Sequence, residues 1–235
     1  MSGGRSIIVI GFTAVAILRI SFACYALAAD SSTRQPNDAR GAVIAAQGVG
    51  TGVPACAQCH AFNGGSDGTG AFPRIAGQPV RYLMAQLQDF ASGARSNAVM
   101  SPIAKALSPD DLAKVATYYA NISGPFLPLK AAVQTLVKRG EQLATLGDES
   151  KQLQSCNNCH GPGGAGEPPM IPYLAGQYAH YTAFELQMWK RGYRKNSPEA
   201  MLQVAKKLDD QDIQAVAAYF QQVDASTHAT PQPTK

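Results

Sequence analysis

Cys56-Ala57-Gln58-Cys59-His60 and Cys156-Asn157-Asn158-Cys159-His160 are two copies of one five-residue box, C-x-x-C-H, within a chain of 235 residues. The match extends outward on both sides. Arg40-Gly41 recurs as Arg139-Gly140, and Ala76-Gly77-Gln78 recurs as Ala175-Gly176-Gln177. Tyr82 matches Tyr181, Phe90 matches Trp189, Met100 matches Met201, and Tyr118-Tyr119 match Tyr219-Phe220. The offset stays between 99 and 101 throughout, so the chain is a tandem duplication of a whole domain rather than a short-period solenoid.

Each copy reads as mostly helix. An opening helix is expected after Asn37-Asp38. A second is expected from about Pro79 to Ser92, with Val80, Leu83, Leu87 and Phe90 near helical spacing and Gly93 as its stop. A third opens at Ser108 with Asp111 three residues on, close to a capping box, and Leu112, Val115, Ala116 and Tyr119 form its apolar face. The second copy repeats this with Asp209, Asp212 and the face Ile213, Val216, Ala217, Phe220. No run alternates as a strand would. The domain join is placed in Ser123-Gly124-Pro125-Phe126-Leu127-Pro128, which cannot be regular helix.

The box has a chemical meaning. Two thiols separated by two residues can each form a thioether with one vinyl group of a haem, and the histidine that follows lies beneath the iron as a neutral imidazole ligand. Competing uses fit less well. A thioredoxin-like pair needs a βαβ context that is absent, and structural zinc sites bring their cysteine pairs closer than the 97 residues separating Cys59 from Cys156. A surface disulfide is open to either pair alone. Duplication of the box, behind an export signal, selects haem: Cys56, Cys59 and His60 hold one, and Cys156, Cys159 and His160 the other.

A haem iron that only carries electrons takes a sixth ligand, and a thioether raises its potential. Met100 stands 40 residues after His60 and Met201 stands 41 after His160. Met84, Met170 and Met188 have no methionine at their matching positions. Any single methionine is ordinarily core filling; position-matched recurrence makes Met100 and Met201 the axial candidates. Pro73 and Pro172 follow the two histidines by 13 and 12 residues. Their carbonyls can receive the second ring N–H of each ligand histidine, and a plain turn role stands beside that reading.

The ends are of another kind. Arg5, the uncharged run Ile7 to Leu18 and Ala26-Leu27-Ala28 read as a secretory signal cleaved before Ala29, with an uncleaved anchor and lipidation at Cys24 as weaker alternatives. The organisation is therefore a signal over 1–28, a first domain over 29–126, a second over 127–224 and a polar, Pro-rich tail over 225–235, expected to be disordered. Without the signal the chain carries 18 basic and 16 acidic residues, too even a balance for a nucleic-acid binder. His180 reads as a surface or packing residue. Tyr82, Tyr181, Phe90 and Trp189 read as core aromatics around the haems. Lys190-Arg191-Gly192-Tyr193-Arg194-Lys195 is an ordinary solvated run or a steering patch for an acidic partner.

These motifs, with Pro73-Arg74-Ile75-Ala76-Gly77-Gln78 and Pro172-Tyr173-Leu174-Ala175-Gly176-Gln177, resemble the di-haem cytochromes c of the cytochrome c4 type over residues 38–223. The resemblance implies an all-α fold of two tandem class I cytochrome c domains, two covalent c-type haems with His/Met ligation, and electron transfer in the periplasm. It implies redox partners such as a quinol–cytochrome c reductase and a terminal oxidase or a dehydrogenase, and it leaves room for peripheral membrane association. An electron carrier is expected rather than an enzyme, the alternatives being the haem subunit of a periplasmic dehydrogenase or a di-haem peroxidase. The Gly/Val-rich stretch Gly48 to Pro54 and the tail after Asp224 depart from the family pattern.

Overall fold

In the computed structural model, residues 36–123 and 131–224 are described, together with Met1 and Gly3. The expected signal segment, most of the expected join and the tail beyond Asp224 lie outside the described residues. Ten α-helices are present among those described. In the first repeat they are α1 (Pro36–Gln47), α2 (Ala57–His60), α3 (Val80–Ser92), α4 (Met100–Ala106) and α5 (Pro109–Ala120). In the second they are α6 (Gln134–Thr145), α7 (Asn157–His160), α8 (Ala179–Lys190), α9 (Met201–Lys207) and α10 (Asp210–Gln222). Among the described residues, extended pairing is confined to isolated bridges. The described residues are therefore all-α, in two repeats of the same helix order.

The expected starts and stops follow from local chemistry. The Ser108 hydroxyl accepts a hydrogen bond from the Asp111 amide at 3.1 Å, and Pro109 occupies the first helical position, where its missing N–H costs nothing. Asp209 caps α10 in the same way, accepting from the Asp212 amide at 2.8 Å. Gly93 ends α3 in the left-handed conformation. The opening helix begins at Pro36, slightly before its expected start. Four further short helices, α2, α4, α7 and α9, have too few turns to show periodicity in sequence.

Each repeat crosses its first helix over its last, α1 on α5 and α6 on α10, and the recurring Arg-Gly pair makes that crossing. A methyl added at Gly41 would collide with the Lys114 carbonyl oxygen, and one at Gly140 with that of Ala215. Arg40 lies beside Asp111 at 3.0 Å, and Arg139 beside Asp212 at 2.9 Å. Glycine thus lets the two backbones touch while the arginine ties the first helix to the capped start of the last. Behind the crossings lie two cores, one around Ile44, Ala45, Val115 and Tyr119, the other around Leu143, Leu186, Trp189, Ile213 and Val216. Each fully buried side chain of this kind contributes about 1.5–3 kcal/mol.

Candidate functional site

Each C-x-x-C-H box folds as one turn of helix. In α2 the His60 amide donates to the Cys56 carbonyl at 2.9 Å, and in α7 His160 does the same to Cys156, also at 2.9 Å. That turn brings the first cysteine and the histidine of each box together in space. Beyond it the chain doubles back. Gly64, at φ +65, accepts the Ile75 amide on its carbonyl at 2.9 Å, and a Cβ there would press into Ala76. Gly164 receives the Leu174 amide at 2.7 Å in the same manner. This fold-back carries Pro73 and Pro172 to the imidazoles. His60 Nδ1 lies 3.3 Å from the Pro73 carbonyl oxygen, and His160 Nδ1 lies 2.9 Å from that of Pro172.

The two readings offered for these prolines are thereby decided in favour of rigid acceptors. A carbonyl accepts only from a protonated nitrogen, so each Nδ1 carries the proton and each Nε2 is the lone-pair donor. Both histidines are buried, and burial lowers their pKa, the proline carbonyl opposing it. A neutral imidazole with a fixed tautomer is the donor a haem iron takes.

The thiols fit the same group. The four cysteines of the boxes are free. Cys56 Sγ lies 3.9 Å from the Ile44 carbonyl and Cys156 Sγ lies 3.7 Å from that of Leu143, each against its own core. The two pairs therefore belong to separate lobes. Burial raises the Cys56 thiol and pushes that of Cys156 up to about 11. Met100 and Met201 each stand at the first residue of a short helix, α4 and α9, packed on α3 and α8 respectively. Both are half-buried, and Met201 rests against the second core.

A polar cluster unforeseen in sequence lies between the repeats. Arg95 and Arg194 pair as an isolated antiparallel bridge. Both guanidiniums reach one carboxylate, with Arg95 Nη2–Glu185 Oε1 and Arg194 Nη1–Glu185 Oε2 each at 2.6 Å. Gln86, which matches Glu185 in the first repeat, accepts from Arg95 Nη1 at 3.0 Å and Arg194 Nη2 at 2.8 Å. Arg95 stacks over Phe90 at 4.4 Å, and Arg194 over Trp189 at 3.6 Å. Burial opposes the charge on Arg95, but Tyr181 and Glu185 overcome it, and its pKa is raised.

This cluster adds to one expectation and corrects another. Tyr181 receives a hydrogen bond from Arg95 at 2.7 Å, so its hydroxyl serves the junction between repeats. The run from Lys190 to Lys195 is not uniformly solvated, since Arg194 is 4% exposed. His180 is exposed, as read. The Arg95–Arg194 correspondence was available at the 99-residue offset, but nothing in it announced a shared carboxylate.

The sequence matches the cytochrome c family over residues 39–123 and again over 137–224. It is 37% identical over 177 residues to a thiosulfate dehydrogenase electron acceptor of Stutzerimonas stutzeri, covering 75% of this chain and 82% of that protein. Among solved structures it is similar to reduced recombinant cytochrome c4 from Pseudomonas stutzeri, with TM-score 0.69 and 32% identity, covering 80% of this chain and 98% of that one. It is also similar to a thiosulfate dehydrogenase from Marichromatium purpuratum, with TM-score 0.74 and 38% identity, covering 80% of this chain but spanning only 41% of that one.

Proposed function

Because this chain belongs to the cytochrome c family, as a di-haem electron carrier of the cytochrome c4 type, we propose that it accepts electrons from a periplasmic dehydrogenase and passes them toward a terminal oxidase. A thiosulfate-oxidising enzyme is the favoured donor, supported by the electron-acceptor relatives and by the likeness to a thiosulfate dehydrogenase chain. A quinol–cytochrome c reductase is the alternative donor. The amino-terminal signal read in the sequence supports export to the periplasm. Among the described residues no helix is long and apolar enough to cross a membrane, and any membrane association is proposed to be peripheral.

Each haem supplies one-electron chemistry by cycling between ferric and ferrous iron. In this reading Cys56 and Cys59 would anchor the first and Cys156 and Cys159 the second, and the irons would be held by His60 with Met100 and by His160 with Met201. The residues around them set how easily the electron moves. The proline carbonyls at 3.3 and 2.9 Å hold the imidazoles in one tautomer and make their donor nitrogens more basic. The thioether sulfurs favour the ferrous form. Both histidines are buried, so each box would offer its ligand nitrogen away from water.

The observation carrying this reading is the pair of neutral, buried, carbonyl-anchored histidines, each one helical turn from a cysteine, in both repeats. The test is anaerobic mixing of the oxidised protein with a thiosulfate dehydrogenase and thiosulfate, followed in the visible spectrum. Reduction of both haems is expected. Reduction by a quinol–cytochrome c reductase alone would move the donor and leave the carrier role intact. Absence of two c-type haem spectra would remove the site assignment.

A further inference from the structure

The two repeats hold their methionine segments differently. In the first, Asn97 Oδ1 accepts from the Val99 amide at 2.9 Å and the Met100 amide at 2.8 Å. The Asn97 amide donates in return to Ser101 Oγ at 3.1 Å, and the Ser101 amide to the Asn97 carbonyl at 3.0 Å. Met100 is thus locked by a reciprocal cap.

Asn196, the counterpart of Asn97, does not perform this role. Its Nδ2 crosses to Asp89 Oδ2 at 2.7 Å and Gln86 Oε1 at 3.3 Å, its Oδ1 accepts from Arg194 Nε at 3.0 Å, and its carbonyl accepts the Trp189 indole at 2.8 Å. The junction has taken the asparagine. Between it and Met201 lie four residues, Ser197-Pro198-Glu199-Ala200, where the first repeat has only Ala98-Val99. The Met201 amide finds only Ser197 Oγ at 3.4 Å, and Ser197 sits at φ +57, a left-handed conformation costly for a non-glycine residue. Met201 itself rests on the apolar core beside Leu202, so the repeats differ in how the backbone leading to the sulfur is fastened.

We infer that Met201 is the exchangeable ligand and Met100 the fixed one, so that the iron of the second domain is where a small neutral σ-donor enters. This rests on the proposal that these methionines close the two irons. For a donor to bind, the sulfur must withdraw, and withdrawal takes its helix start with it. In the first domain that breaks the Asn97 side-chain cap as well as the Ser101 amide bond to the Asn97 carbonyl; in the second it breaks the matching Leu202 amide bond to the Ser197 carbonyl at 3.3 Å and the long Ser197 hydroxyl contact, with no carboxamide cap to lose. A cap of this kind is worth about 1 kcal/mol, which is roughly a fivefold difference in apparent affinity.

The test is a titration of the oxidised di-haem protein with imidazole, read by the methionine-to-ferric-iron charge-transfer band. Half the band is expected to vanish first and the rest at concentrations at least roughly fivefold higher. With Met201→His the easy step is expected to be absent; with Met100→His it is retained. Asn97→Ala, which keeps both methionine side chains and removes only the cap on the Met100 amide, is expected to bring the late step toward the early one. A single step for both irons, no displacement at either, or an easy step that disappears in Met100→His instead would each overturn the inference. If both histidine variants keep the full band, the methionine assignment itself has failed, which is a separate outcome.

Discussion

Gln78 closes a ring of two hydrogen bonds with the backbone of Tyr173, its Nε2 donating to the Tyr173 carbonyl at 3.0 Å and its Oε1 accepting from the Tyr173 amide at 3.1 Å. Gln177 makes the same ring with Arg74, at 2.9 Å in both directions. The glutamine of each Ala-Gly-Gln motif therefore pairs with the backbone of the other repeat, as a strand edge would. Replacing both by alanine leaves four buried or half-buried backbone groups without these partners. At about 1–3 kcal/mol for each group left unsatisfied, the double variant is expected to lose several kcal/mol. Thermal unfolding should then separate into two transitions, one per repeat. An unchanged single transition would show that the rings do not hold the repeats together.

Glu185 is shared by a buried arginine from each repeat, and its carboxylate is 11% exposed. Glu185→Gln leaves two guanidiniums facing each other without their common counter-charge. Breaking a buried pair in this way costs about 3–5 kcal/mol. The loss should be largely recovered by adding Gln86→Glu, because Gln86 Oε1 already lies within hydrogen-bond distance of both arginines. Melting curves of the single and double variants decide this; a double variant no more stable than the single would show that the carboxylate works only from the second repeat.

Much of this architecture was legible beforehand because duplication turns single residues into matched pairs. Ser108 and Asp209 announced their helices, and the boxes announced their histidines. The proline acceptors were half-legible: their spacing was visible, but the fold-back that delivers them depends on Gly64 and Gly164 meeting Ile75 and Leu174. The junction was not legible, because Gln78 and Gln177 find their partners 95 and 103 residues away in sequence and bind only backbone groups there, and because Glu185 shares its carboxylate with an arginine of the other repeat. The junction bond of Tyr181 was hidden for a related reason. An apolar periodicity says that Tyr181 is turned inward, but not whether inward means a haem or the neighbouring domain.

The Arg-Gly repeat gives a packing prediction. Gly140→Ala would set a methyl against the Ala215 carbonyl and the Tyr219 side chain, forcing α6 away from α10. Overpacking of this kind costs about 1–3 kcal/mol. Alanine otherwise favours helix, so propensity alone predicts the opposite sign. A lowered melting temperature confirms the crossing, and a raised one would mean that the helices do not approach so closely in solution.

The second repeat also carries a pH-sensitive tie. The Ser150 hydroxyl and then Arg139 hold Asp148 down to about 2, and Lys151 lowers Asp209. A carboxylate whose folded pKa lies below its unfolded value binds fewer protons when folded. Its contribution is complete above the ordinary aspartate pKa of about 3.9 and is lost as the pH falls toward the folded value. For Asp148 the window runs from about 4 down to about 2. Acid unfolding followed by far-ultraviolet circular dichroism should therefore steepen across that range, and Asp148→Asn should flatten it while lowering stability at neutral pH. The Val49–Val53 turn, which occupies the corresponding place in the first repeat, has no carboxylate to titrate, so the flattening should appear only in the second repeat's unfolding. An Asp148→Asn profile that runs parallel to that of the unaltered protein at every pH would show that the tie contributes nothing to acid stability.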